Sequence, residues 1–200
     1  MFTEFEQDEL REIVNIGSGN ASTALAKMLK QKIHASVPLI LFDEVQNILP
    51  KLGLADSRVT VVLVRVDGEI PGVFFIALPL ENGLELASML TGEEKSGTLL
   101  NEFGSSALKE VGNILSGASL TALSKFLGLD FVQSVPEITS DMLGAILESI
   151  LVETGEAYEK ILLISTNLDF ATDCHARLFF VFNPDATNGI LSAVQRKLEK

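Results

Sequence analysis

The stretch REIVNIGSGNASTALAKMLK, residues 11–30, returns as KEVGNILSGASLTALSKFLG at residues 109–128. At an offset of 98 the two share Glu12/Glu110, Asn15/Asn113, Ile16/Ile114, Ser18/Ser116, Gly19/Gly117, Thr23/Thr121, Ala24/Ala122, Leu25/Leu123, Lys27/Lys125 and Leu29/Leu127. These are ten identities in twenty ungapped positions. Usage of about 5% per residue type predicts roughly one. The register continues through Ser36-Val37-Pro38 and Ser134-Val135-Pro136. Each half therefore carries Glu-x2-Asn-x22-Pro, with Asp8 or Ser106 four residues ahead of the glutamate. Core packing alone would repeat apolar residues and let surface residues drift. A glutamate and an asparagine kept twice mark a duplicated polar site.

Read as a helix at 100° per residue, Asp8, Glu12, Asn15, Gly19 and Ser22 gather within about 80° of one another. Leu10, Val14, Gly17, Ala21, Leu25 and Met28 take the opposite side, as an amphipathic helix on a core requires. Glu12 and Asn15, spaced i and i+3, are neighbours on an exposed ridge with Asp8 one turn before them. Ser106, Glu110 and Asn113 repeat the arrangement. Gly17, Gly19 and Gly117 each weaken helix propensity by about 1 kcal/mol against alanine, which points to close approach of another backbone.

The bulk numbers set limits. Two hundred residues, 47% of them hydrophobic, can bury a core as one domain of two packed halves. A net charge of −12 argues against nucleic acid and anionic membrane as partners. One cysteine, Cys174, excludes an internal disulfide framework and fits a reducing cytoplasm. Two histidines, His34 and His175, without a Cys/His cluster give no structural zinc site, so no metal ligands are expected. The start, MFTEFEQDEL, lacks the apolar stretch of a signal peptide. The longest apolar runs, 59–64 and 72–80, are strand-sized and too short to span a bilayer. Gly17-Ser18-Gly19 neither follows a strand nor opens a helix, which excludes a nucleotide loop.

Each half shows the same order of elements. Repeat 1 covers about residues 1–92 and repeat 2 about 99–200. Thr3-Glu4-Phe5-Glu6 is a capping-box pattern that starts a helix reaching about Lys32. Extended segments follow at about 33–42, 58–66 and 72–78, the last two joined at Asp67-Gly68, a hairpin signal. A helix over about 81–91 closes the half. The second half repeats this with a helix at 99–127, extended segments near 129–137, 160–168 and 176–182, and a helix at 185–198. Residues 140–152, SDMLGAILESILV, read as an additional amphipathic helix without a counterpart in the first half.

The paired side chains suggest a chemistry. A carboxamide is too weak a base to deprotonate water, but it donates and accepts hydrogen bonds and can hold a water in line with an electrophile. A carboxylate three residues earlier can pair with a lysine or arginine of the substrate and fix where the amide lands. No Gly-rich loop, metal cluster or nucleophile–base pair accompanies them. The electrophile and any metal must therefore come with the substrate.

The twice-repeated Asp/Ser-x3-Glu-x2-Asn-x22-Pro pattern resembles the CheC/CheX/FliY family of phosphatases that act on the phosphorylated response regulator CheY. Two motifs in about 200 residues, without extra switch-building segments, are most similar to the CheC branch. The resemblance implies an α+β fold: two pseudo-symmetric α-β-β-β-α halves forming one largely antiparallel sheet flanked by helices. It implies that Asn15 and Asn113 orient the attacking water and that Glu12 and Glu110 anchor to a regulator lysine. Asp8 and Ser106 would support them, while Pro38 and Pro136 fix strand starts. It also implies a cytoplasmic monomer with no cofactor of its own, Mg²⁺ arriving on the regulator, and the receptor deamidase CheD as a second partner. Ala145–Ser149 loosely resembles the site CheD modifies on receptors, which makes Glu148 a pseudo-substrate candidate. The rival reading is a non-catalytic switch-like or adaptor protein that only docks CheY or CheD.

Overall fold

The computed structural model describes residues 4–53, 57–94, 99–153 and 160–198. The first series of elements is α1 (Glu4–Leu29), β1 (Ile33–Ala35), β2 (Leu39–Asp43), α2 (Val45–Leu52), β3 (Arg58–Gly68), β4 (Gly72–Pro79) and α3 (Leu80–Thr91). The second is α4 (Glu102–Leu127), β5 (Phe131–Gln133), β6 (Glu137–Met142), α5 (Leu143–Glu153), β7 (Ile161–Phe170), β8 (His175–Phe182) and α6 (Pro184–Leu198). The α+β class and antiparallel sheet match expectation. Within each half, one further helix stands between the outer and inner strands.

That helix corrects one expectation. The segment at 140–152 is strand up to Met142 and helix from Leu143, and α2 occupies the equivalent place 98 residues earlier. The signal was present: Val45, Ile48, Leu49 and Leu52 fall at helical spacing, and Ile40/Ile138, Asp43/Asp141, Ile48/Ile146 and Leu49/Leu147 keep the register. Pro50 obscured it, because an interior proline removes a helical hydrogen bond. The helix tolerates it by ending two residues later, where the Gly53 N–H bonds back to the Pro50 carbonyl. Its start is held by Asp43, which accepts from the Glu44 N–H at 2.9 Å, Asn47 Nδ2 at 3.0 Å and Lys51 Nζ at 3.0 Å.

All strand pairs are antiparallel, in the order β1-β7-β8-β4-β3-β5, with β2 continuing along β7 and β6 along β3. The halves therefore exchange edges. The outer strands of the first half pair with β7 of the second, and those of the second pair with β3 of the first. Along the β4–β8 seam Phe75 faces Phe179 in a stack at 4.6 Å and Phe74 meets Phe180 edge-on at 5.0 Å.

The central strands read as unbroken apolar runs because both of their faces are covered. Val62, Val64, Phe74, Ile76, Phe180 and Phe182 point to the layer containing α1, α3, α4 and α6. Val61, Leu63, Phe75 and Phe179 point to α2 and α5. In the first layer α1 packs on α4, where Ser119 Oγ donates to the Gly17 carbonyl at 3.1 Å. Of the three glycines expected at close approaches, only Gly17 lies at this crossing. A Cβ on Gly19 would meet nothing within 4 Å, and one on Gly117 only the Gln133 side chain.

Asp67-Gly68 lies beyond the last β3–β4 pair, Val66 with Gly72, but does not make a two-residue turn, because both residues go on to pair with β5. β3 runs through Gly68, and residues 69–71 make the reversal. Gly68 has φ 125° and pairs with Phe131, and a Cβ there would stand 2.3 Å from the Asp130 carbonyl oxygen. Its glycine is needed for the approach of β5.

Candidate active sites

Both ridges form as the wheel predicts. On α1, Asp8, Glu12 and Asn15 are exposed, while Leu10, Val14, Ala21 and Leu25 are buried. Ser22 departs from the ridge: it is buried and its Oγ donates to the Gly19 carbonyl at 3.0 Å. Asp8 pairs with Arg11 at 2.8 Å across one turn, with both side chains largely exposed. Such a pair orients the two side chains more than it stabilises the helix. On α4, Ser106 and Glu110 are exposed and Asn113 is half-buried.

The second ridge borders an open depression lined by Ser106, Lys109, Glu110, Asn113, Gln133, Ser134, Val135 and Pro136. Thus the motif's polar residues and its distant proline meet, although 22 residues separate Asn113 from Pro136. The exchange of edges does this. β5 and β6 lie on β3, and α4 comes down onto the same strand. Gly112 permits the descent: a Cβ there would stand 2.4 Å from Val62 Cγ1. Pro136 and Pro38 immediately precede β6 and β2.

The copies differ in one respect that matching them conceals. Gln133 Nε2 donates to Asn113 Oδ1 at 2.7 Å, and Ser116 Oγ lies 3.0 Å from Gln133 Oε1. The Asn113 carboxamide is therefore tethered through its oxygen, and its N–H groups take no part in that bond. The position equivalent to Gln133 is Ala35, so Asn15 has no such tether. Comparing the halves for identities discards Gln133, because it stands in only one of them.

Glu148 is exposed on α5, whose residues Leu143, Ile146, Leu147 and Ile150 are buried against the opposite face of the sheet. The structure separates it from both ridges. Among the described residues no group of three or more His, Cys, Asp or Glu could hold a metal ion.

A helix-on-sheet unit built twice, with an acid and an amide presented on each long helix, defines an α+β protein with two like sites. The model of the CheC-like family matches residues 5–41 and 103–140, which run from α1 to β2 and from α4 to β6. The chain is 35% identical over 173 residues to the CheY-P phosphatase CheC of Bacillus subtilis, covering 82% of this chain and 80% of that one. It belongs to the CheC family. The fold matches the crystal structure of Thermotoga maritima FliY with a TM-score of 0.78 at 21% identity, over 98% and 99% of the two chains. A chain of the CheX-CheY-BeF3-Mg²⁺ complex from Borrelia burgdorferi matches with a TM-score of 0.55 at 21% identity, over 84% and 96%.

Proposed function

We propose that this protein is a phosphatase that hydrolyses the aspartyl-phosphate of a CheY-type response regulator, at two sites built on α1 and α4. The observation that carries this reading is the duplicated exposed Glu/Asn pair on a chain 35% identical to a CheY-P phosphatase. In the reaction, a water oxygen bonds to phosphorus and the bond from phosphorus to the aspartyl oxygen breaks. The phosphate leaves as dihydrogen phosphate, carrying the water's oxygen and both its protons (one of which it shares with solvent), and the regulator keeps its free carboxylate.

Asn15 and Asn113 position that water by hydrogen bonding. Neither needs to move a proton, which a carboxamide could not do at neutral pH. Glu12 and Glu110 anchor a regulator lysine through a charge-assisted hydrogen bond, so that the amide meets the phosphoryl group in line. Asp8 and Ser106 support the ridge one turn earlier, and Pro38 and Pro136 fix the strands that wall it. Mg²⁺ belongs to the substrate regulator, where it neutralises the phosphoryl charge. The protein works in the cytoplasm, where its substrate is, and as a monomer because both sites are already present in one chain.

Regulation of a CheD-type deamidase is assigned to α5. The sheet face alone does not single α5 out, since α2 supplies a second helix there. What distinguishes α5 is Glu148 itself, exposed where the equivalent position of α2 is Pro50. The activity is tested by following phosphate release from the phosphorylated regulator with and without this protein. Acceleration in proportion to added protein is expected, and an unchanged rate refutes the reading.

A further inference from the structure

Each motif helix is followed by a strand interrupted at the same place, by Ser36-Val37-Pro38 between β1 and β2 and by Ser134-Val135-Pro136 between β5 and β6. Pairing registers on either side show what the interruption is. Ala35 pairs with Leu168 and Leu39 with Ser165, four steps against three. Gln133 pairs with Val66 and Glu137 with Leu63, again four against three. Both copies therefore carry a one-residue bulge, a device that re-aims a side chain.

The serines hold the bulges in place. The Ser36 N–H donates to the Asn167 carbonyl at 3.0 Å, and its Oγ accepts from the Asn167 N–H at 3.0 Å. Ser134 does the same with Arg65, at 2.9 Å for each bond. Each hydroxyl also faces the carbonyl of the next residue, Val37 at 3.4 Å and Val135 at 3.1 Å. The serine N–H and both backbone groups of the facing residue are thereby paired while the valine is turned outward. Val37 is 79% exposed and Val135 83%. One exposed valine would need no explanation. Two, produced by the same bulge and the same clamp, do, because a polar residue in either place would remove the solvation cost without touching the fold.

We propose that Val37 and Val135 are apolar anchors for the protein substrate, one at the rim of each Glu/Asn site. Val135 lines the same depression as Glu110 and Asn113, so whatever docks its acyl phosphate there also covers the valine. The pseudo-symmetric bulge places Val37 likewise beside β1, on which α1 packs. The occupant is the regulator itself, an inference resting on the function proposed above. A second copy of this chain seated on the valine would obstruct the site it borders. A rim contact is made equally before and during the reaction, so it sets affinity and leaves the chemical step alone.

The test uses the regulator trapped with beryllofluoride and Mg²⁺ for binding, and the phosphorylated regulator for turnover. In the V37S/V135S variant, affinity for the trapped regulator should fall at least threefold and KM rise by the same factor, with kcat within twofold of wild type. V37I/V135I should retain wild-type values. If wild type binds the trapped regulator and V37S/V135S binds equally well, the valines anchor nothing and the inference is overturned. A fall in kcat at constant KM overturns it too. Failure of wild type to bind the trapped regulator removes the proposed function and the anchors with it.

Discussion

Replacing Gln133 by alanine in a chain that already carries N15A isolates the second site and removes only its tether. The bond lost runs from Gln133 Nε2 to Asn113 Oδ1, 2.7 Å long, between neutral groups at a half-buried position. A bond of that kind contributes about 0.5–1.5 kcal/mol net. If that energy holds Asn113 in its reactive orientation, its loss lowers kcat roughly two- to tenfold. KM should not move, because the tether acts on a side chain already in the site. Stability should fall by no more than about the same 0.5–1.5 kcal/mol. Ser116 keeps its bond to the Gly112 carbonyl at 2.8 Å, so no buried group is orphaned. Steady-state phosphate release from the phosphorylated regulator, with thermal unfolding in parallel, measures both. An unchanged kcat would show that Asn113 holds its orientation without help. A loss beyond a hundredfold would mean that Gln133 itself meets the substrate, and either result refutes the tether.

Two further perturbations test the frame. G112A must place a methyl 2.4 Å from Val62 Cγ1, so α4 or β3 has to shift. Overpacking of this kind costs about 1–3 kcal/mol, to be read from the urea midpoint, and G117A, which meets only a side chain 3.7 Å away, should cost less. The second concerns pH. The side-chain bond from Asn47, then Lys51 and the Glu44 N–H, hold the Asp43 carboxyl from 3.8 down to about 2. Because the folded value is the lower one, the stabilisation of α2 is complete above about 4 and is lost as pH falls through about 2. Carboxyl chemical shifts across that range check it, and a midpoint near 4 would contradict it.

How much of this the sequence carries depends on what each signal reports. The ridges were legible because one helix dictates which residues share a face, and Glu12 and Asn15 need nothing else to be neighbours. Ser22 fell outside because burial depends on what packs above a helix, and the wheel does not contain that. α2 was hidden by Pro50, although the 98-residue register ran through it to Leu49 and Leu147. The exchange of sheet edges was not legible at all. Runs such as 59–64 are apolar on both faces and carry no mark of which neighbour lies alongside. Gln133 was lost for a related reason: its importance comes from β5 lying beneath α4, a consequence of that pairing.

The central claim is that Asn15 and Asn113 are the chemistry and that the rest of the chain holds them. N15A/N113A removes both carboxamides from exposed or half-buried positions opposite the apolar face, so the fold should be retained. The measurement is phosphate release from the phosphorylated regulator by wild type, each single variant and the double variant. Loss of one positioning group lowers a rate by about 10²–10³, so the double variant should fall by that factor or to the regulator's own rate. Each single variant should retain the turnover of its remaining site. A folded double variant that releases phosphate at the wild-type rate would contradict the account.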